Sequence, residues 1–221
     1  ERVARIVIAN QGSKPDLASE SPRRAEVAYT LASLLTALGR PGVAVEVYRL
    51  ALEYRPDHPW VENDLGYLLL ESGGDFAEAE RLIESAYEAL PDQASVIDSV
   101  AWVRYKRGVL LDVTDAAGGV VRRGAEGLLR EAVATEGGAN NPTMLDHYAD
   151  TLWRVGKTAE ARRLWSRAEM VLRAMVAQAT EGEPTPTKAR WERELASIEG
   201  KLEASLAGEE PRLEPLLDEA E

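Results

Sequence analysis

Apolar residues recur at three- and four-residue spacing along most of the chain, the period of one helix face. They fall into blocks of two helices joined by a glycine turn. The first block has Ala28, Leu31, Ala32 and Leu35, the turn Gly39-Arg40-Pro41, then Ala44, Tyr48 and Ala51, and it stops near Pro56. The second has Leu65, Gly66 and Leu69, the turn Gly73-Gly74, then Ala79, Ile83, Ala86 and Pro91. The third has Ile97, Val100 and Ala101, then Gly108. The fourth has Leu145, Ala149 and Leu152, the turn Val155-Gly156-Lys157, then Ala161, Trp165 and Ala168.

The chemistry of the pattern is the same each time. Small residues at Ala32, Gly66, Ala101 and Ala149 let the two helices of a block approach closely. Ala51, Ala86, Ala132 and Ala168 do the same between consecutive blocks. Glycine ends the first helix in a left-handed cap, and proline breaks the chain after the second.

The segments outside the four blocks also read as elements. Ile6 and Ala9 followed by Pro15 suggest the second helix of a truncated preceding block over residues 1–14. An extra-long link covers residues 16–21, and Ser21-Pro22 is a good helix start. In the third block, Val109–Val113 and Val120-Val121 flank Thr114–Gly119, so an insertion near 109–124 reads either as a small β-hairpin or as a longer loop. Such an insertion is a secondary candidate contact. Helical phase continues from Ala161 to Ala179, and Thr180–Pro186 is a linker. Trp191, Leu195, Ile198 and Leu202 make the apolar stripe of a helix over residues 188–206 that caps the last exposed face. An acidic tail over residues 207–221 carries Leu213, Leu216 and Leu217 as apolar handles.

On these residues the chain resembles the tetratricopeptide repeat (TPR) family over about residues 22–179. The resemblance implies an all-α fold: a right-handed α-solenoid of about four antiparallel helix hairpins. It departs from the family pattern at Ala28 and Glu62, where a large aromatic is usual. It departs again after the third hairpin, where Glu136-Gly137-Gly138 replaces the proline stop.

Composition narrows the function. With 26 basic and 38 acidic residues the net charge is −12, unsuited to binding a phosphate backbone, so no nucleic acid is expected. There are no cysteines, which removes disulfides, thiolate ligands and thiol nucleophiles. No stretch reaches the ~20 apolar residues of a membrane helix, so no membrane insertion is expected of this piece. The chain begins at Glu1 and its basic residues are mostly Arg. These points read as a bacterial fragment that leaves open whether a targeting segment precedes it, and so leaves a cytoplasmic or extracytoplasmic location open.

Catalytic constellations are sparse. The two histidines, His58 and His147, do not pair with each other in sequence, so no metal site is expected. Asp146, His147 and Asp150 permit a His–Asp contact, with a solvated helix face as the plainer reading. The glycine pairs lack the downstream Gly-Lys-Ser/Thr of a phosphate loop, and no Gly-x-Ser-x-Gly elbow exists. No catalytic residue and no cofactor is expected.

In a TPR-like stack the first helices line a concave face, and its outward side follows from helical phase. That side holds Tyr29, Ser33 and Thr36, then Trp60, Asn63, Tyr67 and Leu70, then Asp98, Trp102 and Tyr105, then Asp146, Asp150 and Trp153. Large aromatics there suit a binding role; packing against neighbouring first helices or beneath the terminal helix is the equal alternative for Tyr67, Trp102 and Tyr105. The TPR subclass that grips chaperone carboxylates uses Lys and Asn, and of Tyr29, Asn63 and Asp98 only Asn63 fits. The expected function is a protein-interaction scaffold, not an enzyme, binding a protein or peptide segment through Trp60, Asn63, Tyr67, Asp98, Trp102, Tyr105, Asp146 and Trp153. The aspartates favour a basic partner and the aromatics an apolar one. The alternatives are self-association, with the groove filled by the chain's own tail or a second copy, or the non-catalytic part of a larger enzyme or secretion protein.

Overall fold

The computed structural model describes residues 21–179 and 185–219. The half-hairpin expected over 1–14, the link before Ser21 and most of the linker at 180–186 lie outside the described residues. The chain divides into two compact units, Glu1–Pro91 and Asp92–Glu221.

The first unit holds α1 (Ser21–Ala37), α2 (Pro41–Tyr54), α3 (Pro59–Glu71) and α4 (Phe76–Ala89). Helices α1 and α2 pack as one hairpin, α3 and α4 as the next, and α2 packs on α3. Their shared core contains Ala28, Ala32 and Leu35 from α1, Val47, Tyr48 and Ala51 from α2, Leu65 and Leu69 from α3, and Ala79 and Leu82 from α4. The helix starts follow the sequence: Pro41 and Pro59 open α2 and α3, where a missing N–H is tolerated. The Asp75 carboxylate caps α4 by accepting from the Glu78 N–H. Glu62, at the position where an aromatic is usual, is buried and accepts the Ser85 hydroxyl at 3.0 Å.

Gly66 is a point of close approach between α3 and α4. A Cβ there would stand 2.7 Å from Ile83 Cγ1 and 2.9 Å from the Ala79 carbonyl oxygen. Alanine favours a helix over glycine by about 1 kcal/mol, but here the overlap outweighs that preference. Gly66→Ala is expected to destabilise the first unit by about 1–3 kcal/mol, read as a lower urea midpoint. A raised midpoint would show that the helices are not in this contact.

The second unit holds α5 (Ala94–Lys106), β1 (Val113–Thr114), β2 (Val120–Arg122), α6 (Ala125–Ala134), α7 (Pro142–Arg154), α8 (Thr158–Gln178), α9 (Pro186–Ala207) and a 3-10 turn at Leu217–Glu219. Again α5 packs on α6 and α7 on α8, with α6 on α7 between them, and α9 lies along α8. The small residues expected at the helix contacts, Ala101, Ala132, Ala149 and Ala168, are all fully buried. Gly39, Gly73, Gly108 and Gly156 follow the first helices of the four hairpins with φ between 67° and 81°, the left-handed cap that favours glycine.

The insertion is a β-hairpin. β1 and β2 pair antiparallel with an irregular register, and Asp115 organises the turn by accepting the Ala117 and Gly119 N–H groups. Asp112 ties its base by accepting the Gly124 N–H at 2.8 Å. After α6, where the proline stop is missing, the Thr135 hydroxyl accepts the Gly138 N–H and turns the chain instead. The fold class is thus all-α with one small β-hairpin.

Candidate functional site

The eight residues expected on the binding face divide between the units. Trp60, Asn63 and Tyr67 lie on α3 in the first. Trp60 and Tyr67 are half-buried, and Asn63 is buried. Asn63 Nδ2 donates to Asp64 Oδ1, and Tyr29 donates its hydroxyl to Asp64 Oδ2 at 3.1 Å. Burial pushes the Asp64 carboxyl above its ordinary range, partly offset by these two donors. Asn63 Oδ1 and His58 Nδ1 are buried without a hydrogen-bond partner among the described residues. Asn63 therefore serves a polar cluster inside the hairpin pair, with its amide turned away from solvent.

In the second unit, α5 supplies Asp98, Trp102 and Tyr105, and α7 supplies Asp146, Asp150 and Trp153. The structure corrects the reading of Trp102 and Tyr105 as open anchors: they are 1% and 0% exposed. Trp102 stacks on Tyr105 at 4.5 Å between ring centroids and on the His147 imidazole at 3.7 Å. His147 Nδ1–H donates to Asp98 Oδ1 at 3.0 Å, both groups buried. A His–Asp contact does form, but across two helices, 49 residues apart in sequence.

The remaining acids face the capping helix. Lys201 of α9 donates to Asp146 Oδ1 at 2.8 Å and to both Asp150 oxygens at 2.8 and 3.0 Å. Asp150 also accepts the Trp165 indole N–H at 3.1 Å. Burial, and then the Asp146 carboxylate, push Asp150 up to about 6, against the opposing pull of Lys201. Burial opposes the Lys201 charge most, yet the two aspartates outweigh it and hold the ammonium above its ordinary value.

What lies on the outer side of α5 and α7 is the chain's own tail. After α9 ends at Gly208, residues 209–216 run as irregular chain. Every polar group of Glu214 is engaged. Its N–H donates to Asp150 Oδ2 at 3.3 Å. Its carbonyl oxygen accepts the Tyr105 hydroxyl at 2.7 Å and Arg154 Nη2 at 2.9 Å. Its carboxylate accepts Lys106 Nζ at 3.1 Å. Four residues earlier, Glu210 Oε1 accepts the Trp153 indole N–H at 2.8 Å. Burial raises the Tyr105 hydroxyl well above its ordinary value, so it remains a donor at neutral pH.

Helical phase therefore marked a face that carries a segment, while Lys106, Arg154, Lys201, Glu210 and Glu214 were not singled out. Lys201 left one signal: it is a lone cation between Ile198 and Leu202 on the stripe of α9. Among the described residues no group of three His, Asp or Glu side chains is placed to hold a metal ion, and no helix is long and apolar enough to cross a membrane.

Comparison with known proteins agrees with this architecture. Residues 35–102 match the tetratricopeptide repeat family model. A TPR repeat-containing protein of Pseudomonas aeruginosa is 34% identical over 64 residues, which is 29% of this chain and 11% of that protein. The match thus spans about a tenth of that relative's length. A double mutant of MamA from Desulfovibrio magneticus RS-1 superimposes with a TM-score of 0.53 at 17% identity, covering 81% of this chain and 87% of that one. YrrB, described as a TPR protein with an unusual peptide-binding site, does so with a TM-score of 0.50 at 14% identity, covering 94% and 97%. Residues 35–102 thus carry the tetratricopeptide repeat, and the described helix hairpins around them share its architecture.

Proposed function

We propose that this interaction scaffold receives an extended protein segment on the outer side of its first helices, with the α5–α7 face of the second unit as the principal site. One observation carries the reading: that face already holds a segment of irregular chain through hydrogen bonds to its main chain as well as its side chains. Main-chain bonds give affinity for an extended segment, and neighbouring side-chain contacts give selectivity. The peptide-binding site named for YrrB is in keeping with this use of the fold.

The charge offered to a segment differs from what the aspartates alone suggest. Asp98 is engaged by His147, and Asp146 and Asp150 by Lys201. Lys106 and Arg154 both reach the tail with their charged groups. The face thus suits acceptor groups, such as carbonyls and carboxylates, better than a basic segment. The test is affinity capture followed by mass spectrometry. Trp153→Ala and Lys106→Gln are each expected to lower the captured partner by about fivefold or more, equivalent to about 1 kcal/mol. Capture unchanged in both variants, with the fold intact by circular dichroism, refutes the site.

A further inference from the structure

The tail has an internal repeat. Glu210-Pro211-Arg212-Leu213 is followed directly by Glu214-Pro215-Leu216-Leu217, two Glu-Pro-x-Leu tetrads in succession. Each tetrad places its glutamate on the α5–α7 face: Glu210 on Trp153, Glu214 on Lys106. We infer that this face recognises an extended Glu-Pro-x-Leu segment of another protein, and that residues 210–217 occupy its place within the chain. The inference rests on the proposed segment-binding role and names the chemistry of the segment.

Three features support recognition over simple packing. First, the contacts read the segment at fixed spacing. Two glutamates four residues apart meet an indole N–H and an ammonium, and the main chain is held at Glu214. Second, proline follows each glutamate. Proline restricts φ and has no N–H to leave unpaired, so an extended segment loses less entropy on docking. Third, most of the tail is laid over the unit and not built into its core. Glu209, Glu210, Arg212, Glu214, Pro215 and Asp218 are exposed, Leu213, Leu216 and Leu217 are half-buried, and Pro211 alone among residues 209–218 is buried. Exposed Gly208, with φ 77°, ends α9 where the tail departs. A segment held this way exchanges without dismantling the helices that carry it.

Tethering sets the magnitude. A short tether gives an effective concentration of about 1 mM. If the isolated segment binds with a Kd of about 50 µM, the tail raises the apparent Kd of a competing segment about twentyfold.

The probe is a fluorescein-labelled peptide with the sequence of residues 209–218. It is titrated against the full chain and against the full chain carrying Glu210→Lys and Glu214→Lys, which release the tail by charge repulsion. It is also titrated against the full chain with a protease site inserted between Gly208 and Glu209, cut after folding. The peptide is expected to bind both altered proteins at least tenfold more tightly than the native one. The same peptide with lysine at the position of Glu214 is expected not to bind. Equal affinity for native and altered proteins overturns the inference, as does no binding to the cut protein when its melting curve matches the native one. Light scattering is expected to show monomers; a dimer that dissociates when the tail is cut overturns the inference by assigning the face to a second copy. If the double variant does not fold, the cut protein decides. Loss of peptide binding with Trp153-dependent partner capture retained removes the Glu-Pro-x-Leu assignment alone; loss of both removes the site.

Discussion

Lys201→Met is expected to cost the second unit about 3–5 kcal/mol at pH 7.5, and markedly less at pH 5. The size follows from what the ammonium neutralises. Lys201 and Asp150 are 4% and 1% exposed, and Asp146 lies beside them. Removing one partner of a buried pair leaves an uncompensated charge, which costs far more than the pair itself contributes. The pH dependence follows from Asp150. Its carboxyl is raised to about 6 in the folded chain from an ordinary 3.8. A raised carboxyl contributes stability that is present below the unfolded value and lost as pH climbs through the folded one. Without Lys201 the chief charge holding Asp150 down is gone, so its folded value moves higher and the neutral-pH penalty grows. Lys201 itself adds no slope between pH 5 and 8, because it is charged in both folded and unfolded chains there. Urea unfolding of native and variant proteins at the two pH values measures the difference. A loss that is the same at both would mean that Asp150 does not carry the charge, and a loss below about 1 kcal/mol would place Lys201 in solvent.

The repeat was legible because its causes are local. Gly66 is needed where α3 meets α4, Ala101 and Ala149 where the second unit's helices cross, and each first helix stops at a left-handed glycine. Short spacing in sequence carries all of this. The β-prone runs around Asp115 gave the insertion away for the same reason. The face was legible only as a face. Helical phase puts Trp102 and Tyr105 on the outer side of α5, but what covers them comes from elsewhere in the chain. Tyr105 meets Glu214 across 109 residues of sequence, and Lys201 meets Asp150 across 51. Periodicity holds no record of such pairs. The aspartates show the consequence most clearly. Read alone, Asp98 and Asp146 select a basic partner; in the folded unit His147 and Lys201 engage them, and the cations Lys106 and Arg154 reach the segment on the face.

Trp102→Ala is expected to destabilise the second unit by about 3–5 kcal/mol, so that any loss of partner capture follows from unfolding. The indole is buried between two nearly parallel rings, tilted 13° from Tyr105 and 12° from His147. Truncation leaves a void that neither ring can fill, and it opens the buried His147–Asp98 hydrogen bond to water. Tyr105 then loses the support that aims its hydroxyl at Glu214 and at Arg154, which donates to it at 2.7 Å. Trp153 provides the contrast. It is half-buried, tilted against Trp165 at 5.5 Å, and its indole N–H reaches the tail. Trp153→Ala is expected to cost about 1–2 kcal/mol and to act mainly on segment binding. Trp102→Phe keeps an aromatic plane in the stack and is expected to restore more than half of the lost stability, with capture returning in step. Urea unfolding and partner capture on the same three variants separate the roles. If Trp102→Ala unfolded at the native midpoint while capture fell, Trp102 would touch the bound segment directly.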